Sequence, residues 1–137
     1  MTTSARLTIG EVARQSGFSR SALRYYESIG LLAAPERVNG RRSYAPAALD
    51  QLMLIRTSQA VGMTLDEIAV LFHGFPKRTP ASARWKRLAS AKRDELDAQA
   101  QRIDRMRELL RHLEGCQCVD LKTCAGKMRE LAASEAG

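Results

Sequence analysis

The stretch Thr8-Ile9-Gly10-Glu11-Val12-Ala13-Arg14-Gln15-Ser16-Gly17-Phe18-Ser19-Arg20-Ser21-Ala22-Leu23-Arg24-Tyr25-Tyr26 decides the fold. Thr8 and Glu11 stand three apart, the spacing at which each side chain satisfies the other's backbone N–H at a helix start. Ile9, Val12 and Ala13 then follow the i, i+3, i+4 rhythm of one apolar helix face. Gly17 stops that helix. Ser19 caps a second one, in which Ala22, Leu23 and Tyr26 repeat the rhythm up to Gly30. Two short helices joined by a glycine turn form a helix-turn-helix.

Outward from this motif the pattern changes. Pro35 opposes helix, and Asn39-Gly40 is a strong two-residue hairpin signal, so residues 31–45 read as a β-hairpin wing. Pro46 suits the first turn of a third helix, which runs to Gly62. Thr64 and Glu67 repeat the reciprocal cap and open a fourth helix, closed by Gly74 and Pro76. The expected organisation is a winged helix-turn-helix domain over residues 1–75, a linker over 76–81, a long helix over 82–115, and a cysteine-containing segment over 116–137. That segment holds a loop, a short helix from Ala125 and a frayed tail from Ala132. The fold class is mostly α.

Between Ser82 and Glu114 there is no Gly or Pro. Trp85, Ala89, Lys92, Leu96, Gln99, Ile103, Met106, Leu110 and Leu113 follow one another in alternating steps of four and three, a sustained a/d heptad seam. Such a helix would be roughly 50 Å long at 1.5 Å per residue. It needs a partner, and the simplest is a second copy. Trp85, Leu96, Ile103, Met106, Leu110 and Leu113 are therefore the expected homodimer seam. The competing reading folds the helix back onto its own N-terminal domain, which is too small to cover the whole stripe.

The 137 residues carry 22 Lys+Arg against 15 Asp+Glu, a formal charge of +7. Residues 1–75 contain eight arginines and no lysine, and arginine's planar fork suits phosphate and guanine edges. No apolar run of about 18 residues exists, and no secretory signal is read, so the expectation is a cytoplasmic protein with an anionic partner and no membrane partner. On the second helix, Ser19, Arg20, Ser21, Arg24 and Tyr25 are the candidates for contacting duplex DNA. Arg37, Arg41, Arg42 and Tyr44 are the candidates on the wing. Tyr26 continues the apolar stripe and belongs to the core.

All three cysteines, Cys116, Cys118 and Cys124, fall within nine residues. An odd, clustered set points to metal binding or redox chemistry rather than a disulfide framework. Thiolates are soft ligands for Cu+, Zn2+ or iron–sulfur clusters, and the thiolate is also the oxidisable form. His112 and Asp120 are the neighbouring candidates for a fourth ligand. No phosphate loop, nucleophilic triad or paired carboxylates point to an enzyme.

Several blocks resemble MerR-type transcription regulators: Leu7-Thr8-Ile9-Gly10-Glu11-Val12-Ala13, Leu23-Arg24-Tyr25-Tyr26-Glu27-Ser28-Ile29-Gly30-Leu31-Leu32, Asn39-Gly40-Arg41-Arg42-Ser43-Tyr44 and Ala60-Val61-Gly62-Met63-Thr64-Leu65-Asp66-Glu67-Ile68. The resemblance implies an antiparallel dimer helix, a near-palindromic promoter site, and DNA distortion that realigns the promoter for RNA polymerase. It also implies that the cysteine segment is an effector loop, lying beside Trp85 of the other subunit. The SoxR type of that family binds a [2Fe-2S] cluster through four cysteines. Cys116, Cys118 and Cys124 match the last three, and Leu113 stands where the first would be. The CueR type binds a monovalent metal through two cysteines spaced like Cys116 and Cys124. A directly bound metal ion or thiol oxidation therefore ranks above a cluster. Two alternatives are a coiled-coil metal-binding or interaction protein, and a regulator of this type whose cysteines are inert.

Overall fold

The computed structural model describes residues 5–136. In order, the elements are α1 (Ile9–Ser16), α2 (Arg20–Ser28), β1 (Glu36–Val38), β2 (Arg41–Ser43), α3 (Ala47–Ala60), α4 (Leu65–His73), α5 (Ala81–Glu114) and α6 (Leu121–Ala136).

The local signals act as their chemistry dictates. Thr8 Oγ1 accepts the Glu11 N–H at 3.2 Å while Glu11 Oε1 accepts the Thr8 N–H at 2.9 Å. Thr64 and Glu67 repeat the exchange at 3.2 and 2.8 Å. Gly17 caps α1 with φ 80°, a left-handed conformation that costs a side chain strain. Arg56 occupies the space beside that glycine, donating through Nη2 to the Ser16 carbonyl and lying 4.9 Å from the Phe18 ring centre. Asn39 and Gly40 adopt φ 53° and 76°, the left-handed pair of a type I′ turn, and β1 pairs antiparallel with β2 through Arg37 opposite Arg42. Tyr44 continues the returning strand and bridges Leu7 with backbone bonds of 2.8 and 2.9 Å.

The first compact unit runs through Lys92. Its core joins Val12, Leu23 and Tyr26 from the helix-turn-helix to Leu31, Leu32 and Tyr44 around the wing. Leu52, Ile55, Met63 and Ile68 complete it from α3, its following turn and α4. Each such fully buried aliphatic side chain stabilises by about 1.5–3 kcal/mol.

Trp85, at the start of the expected seam, is half-buried within the single chain: together with Leu88 it packs against the core of its own domain. One turn further on, Lys92 is 6% exposed, and its Nζ donates to the Gly62 carbonyl at 3.2 Å and to Glu67 Oε1 at 3.0 Å. Two members of the first part of the heptad stripe, Trp85 and Lys92, thus have partners within the chain, while Ala89 between them is exposed. Leu96, Ile103, Met106, Leu110 and Leu113 remain exposed. The start of α5 is held by Arg84, whose guanidinium donates to the carbonyls of Leu71, Phe72, Pro76, Lys77 and Thr79.

The second unit begins at Arg93 and contains the rest of α5, the loop after Gly115 and α6. The helix expected from Ala125 begins four residues earlier, because Asp120 Oδ1 accepts the Thr123 N–H at 2.8 Å and caps it. It also continues through the tail expected to fray, where Ala132, Ala133 and Ala136 are strong helix formers.

Candidate functional site

Two places gather the chemistry read from the sequence, one in each unit. In the first unit, α2 and the wing border a cleft of about 400 Å³ at the N-terminal end of α1. Arg20 from α2 and Arg37, Arg41 and Arg42 from the wing line it, together with Gly10 and Gly40. Four guanidinium-bearing residues beside a helix N-terminus form an anion-attracting surface. A Cβ on Gly10 would stand 2.8 Å from Arg20 Nη2, so the glycine makes room for that guanidinium.

Ser19 is half committed to structure: its hydroxyl accepts the Ala22 N–H at 3.0 Å as the cap of α2. Ser21 lies beside it, with 3.5 Å between the two hydroxyl oxygens. Arg24 and Tyr25 are exposed on the same helix. Arg37 donates to the Gly40 carbonyl at 3.1 Å and braces the wing tip. Arg42 Nε donates to Glu27 Oε1 at 3.2 Å, fixing the wing against α2.

Tyr44, a wing candidate by sequence, does not face DNA: it is 1% exposed, and its hydroxyl donates to Glu27 Oε2. Burial, and then the neighbouring Glu27 carboxylate, raises its phenol pKa well above the usual value. Glu27 itself escaped the sequence reading. It accepts from both Arg42 and Tyr44, so one carboxylate ties α2 to the wing and to the core.

In the second unit, Cys116, Cys118 and Cys124 converge, with all three sulfurs within 4.8 Å of one another. Cys116 Sγ lies 4.0 Å from Cys124 Sγ and accepts the Cys118 N–H at 3.4 Å. Gly115 and the turn after it bring Cys116 and Cys118 to the head of α6, where Cys124 occupies the first turn. Hydrogen bonding from the Cys118 backbone, then from the Cys118 thiol, holds the Cys116 thiol below its usual pKa. Cys124 and the Lys127 ammonium add to the effect. The Cys118 thiol moves the other way, chiefly through its hydrogen bond to Cys116 and its desolvation.

The three sulfurs border a cavity of about 300 Å³. Leu109, His112 and Leu113 from α5 line it on one side, and Lys127, Met128 and Leu131 from α6 on the other. Among the described residues, no His, Asp or Glu joins the sulfur cluster. Asp120, one candidate for a fourth ligand, instead caps α6, and the Thr123 N–H holds its carboxyl below the ordinary range. His112 borders the cavity without joining the cluster. Lys127 and Met128 escaped the sequence reading, although they stand three and four residues after Cys124, on the same helix face.

The donor set fits a soft metal ion. Two thiolates on one tetrahedral zinc ion stand about 3.8 Å apart when each Zn–S bond is about 2.3 Å. The 4.0 Å between Cys116 and Cys124 is close to that span.

Known proteins share this architecture. Residues 7–74 match the family model described as MerR HTH family regulatory protein, and residues 49–113 match the model described as MerR, DNA binding. An HTH-type transcriptional activator SoxR homolog from Chromobacterium violaceum is 34% identical over 119 residues, covering 86% of this chain and 80% of the relative. The HTH-type transcriptional regulator CueR of Yersinia pestis is 32% identical over 128 residues, covering 88% of this chain and 92% of the relative. Among solved structures, the transcription regulator PbrR691 from Ralstonia metallidurans CH34 in complex with lead(II) superposes with a TM-score of 0.70. It is 27% identical, over 83% of this chain and 90% of that one. No described helix is long and apolar enough to cross a membrane. The helix-turn-helix, the basic wing and the long helix after them thus have close counterparts in sequence and in structure, and the chain belongs to the MerR family of DNA-binding transcription regulators.

Proposed function

We propose that the protein is a homodimeric cytoplasmic regulator that binds a near-palindromic promoter element and responds to a soft metal ion held by Cys116, Cys118 and Cys124. The carrying observation is the convergence of three sulfurs within 4.8 Å beside a cavity. The thiolate set suits a Zn2+ or Cu+ type ion. The lead(II) complex of PbrR691 supports the reading by similarity. A [2Fe-2S] cluster ranks lower, because Leu113 offers no ligand where a fourth cysteine would be needed.

On the DNA side, Ser19, Arg20, Ser21, Arg24 and Tyr25 face the major groove, and Arg37, Arg41 and Arg42 hold phosphates. Leu96, Ile103, Met106, Leu110 and Leu113 form the seam between two copies. RNA polymerase at the same promoter is the partner through which the response is read out.

The test uses protein purified without oxygen. The wild-type chain should carry about one metal ion per protomer, with no sulfide and no visible absorbance. A variant with all three cysteines replaced by Ser should lose the ion, bind operator within a few-fold, and give no metal-dependent change in transcription. A triple variant that still responds would overturn the reading.

A second reading rests on the 4.0 Å between Cys116 and Cys124. Peroxide would oxidise the two thiols to a disulfide, each thiol losing one hydrogen as peroxide is reduced to two waters. The sulfurs need to close to about 2.05 Å. A loss of two hydrogens by mass, together with a response to peroxide in metal-free protein, would favour this reading.

A further inference from the structure

We infer that Met128 supplies a fourth sulfur to the cysteine cluster, making a site of three thiolates and one thioether suited to Cu+. The inference rests on the metal-binding reading above and assigns a further ligand to that site. α6 starts at Leu121, so Cys124 lies in its first turn and Met128 one turn later. Residues four apart on a helix project from the same face. Met128 borders the same cavity as Cys116, Cys118 and Cys124, and it is 42% exposed rather than locked in a core. Three rotatable bonds leave its thioether free to reorient at the cavity wall.

The other donors fit less well. No His, Asp or Glu among the described residues lies within the cluster. The Asp120 carboxylate already accepts the Thr123 N–H. Replacing it as a ligand by a neutral thioether also makes electrostatic sense. Three thiolates already carry three negative charges, and Lys127 stands on the cavity wall beside them. A fourth anion would raise the repulsion, whereas a thioether adds a soft donor and no charge. Thioether sulfur is a ligand for Cu+.

The competing role for Met128 is purely apolar, as a wall residue beside Leu113 and Leu131. The full-length chain, prepared with selenomethionine and loaded with Cu+ without oxygen, separates the two by X-ray absorption at the copper edge. The wild-type chain should show a copper–selenium scattering path that Met128→Leu lacks. Leu keeps the bulk and the helix propensity of Met. Competition with a Cu+ chelator should show about a tenfold weaker Cu+ affinity in Met128→Leu, the scale of loss when a metal site loses a supporting group, with Zn2+ affinity changed less than about twofold. Copper bound to sulfur alone, with no selenium path and equal affinity in both chains, would overturn the inference and leave the three-thiolate site standing. A wild-type chain that binds neither Cu+ nor Zn2+ would overturn the metal reading itself, and this inference with it.

Discussion

The Lys92 ammonium lies 3.0 Å from Glu67 Oε1, the same oxygen that closes the cap of α4 by accepting the Thr64 N–H at 2.8 Å. One carboxylate oxygen therefore fixes the start of α4 and a buried point on α5. Lys92→Met keeps the buried stem and removes the charge. Breaking a buried ion pair can cost 3–5 kcal/mol, but the Glu67 side chain is 36% exposed and stays hydrated, so the expected loss is about 1–2 kcal/mol. A urea titration reads it, and an unchanged midpoint would show the pair to be incidental.

Acid should weaken the first unit through its two helix caps. The Glu11 carboxyl is lowered mainly by the Thr8 N–H, and that of Glu67 mainly by the Thr64 N–H and then by Lys92. Both values lie below the ordinary 4.5 in the folded chain. The stabilisation is therefore complete above about pH 4.5 and is lost as pH falls through the folded values. Urea midpoints measured across about pH 3–6 should decline on the acid side, less steeply in Glu11→Gln and Glu67→Gln.

Tyr44→Phe should separate stability from DNA contact. The hydroxyl ties the core to Glu27, and removing it should cost about 1–2 kcal/mol of stability with operator affinity changed less than about threefold. Arg24→Ala should do the reverse: about 1–3 kcal/mol of binding if it reads a base, or a flatter salt dependence if it meets only phosphate. Gel shifts at several salt concentrations check both, and Arg24→Ala with neither effect would remove Arg24 from the interface.

The two ends of the α5 stripe should answer differently. Ile103→Glu buries an unpaired charge in the proposed seam and should split the dimer at micromolar concentration in sedimentation, with little loss of secondary structure. Trp85→Ala should instead lower the melting temperature of the first unit, because Trp85 packs against that unit's core. A dimer that survives Ile103→Glu would misplace the seam.

Asp120 offers a test of cap against ligand. Asp120→Ser keeps an N-cap oxygen and removes the carboxylate, so metal affinity should stay within about twofold, whereas Asp120→Ala should cost α6 about 1 kcal/mol. A large loss of metal in Asp120→Ser would make the carboxylate a ligand.

What the sequence disclosed was short-ranged. The Thr8–Glu11 and Thr64–Glu67 exchanges, the Gly17 stop and the Asn39–Gly40 turn each depend on residues a few positions apart. The Cys-x-Cys-x5-Cys spacing also disclosed a cluster, since its chain reach is short. What stayed hidden needs a partner distant in sequence. A heptad rhythm states that a stripe must be covered, not by what, so Trp85 and Lys92 looked like Leu96 and Ile103. Tyr44 beside two arginines looked like part of a basic wing, because its acceptor, Glu27, is 17 residues away. The start of α6 is not legible in the sequence, because Asp120 caps it with no matching Glu three residues on.

Arg84 illustrates how poorly formal charge measures an electrostatic footprint. An arginine has five N–H donors, and the Arg84 guanidinium meets five backbone carbonyls. Arg56 is similarly turned to the Ser16 carbonyl and the Phe18 ring, and Lys92 to Glu67 and Gly62. These cations work as internal scaffolding, so fewer counterions stand to be displaced from DNA than a charge of +7 suggests. Each neutralised phosphate contributes about 0.9 to the slope of log affinity against log salt. That slope will therefore track the arginines around the α1–wing cleft rather than the composition of the chain.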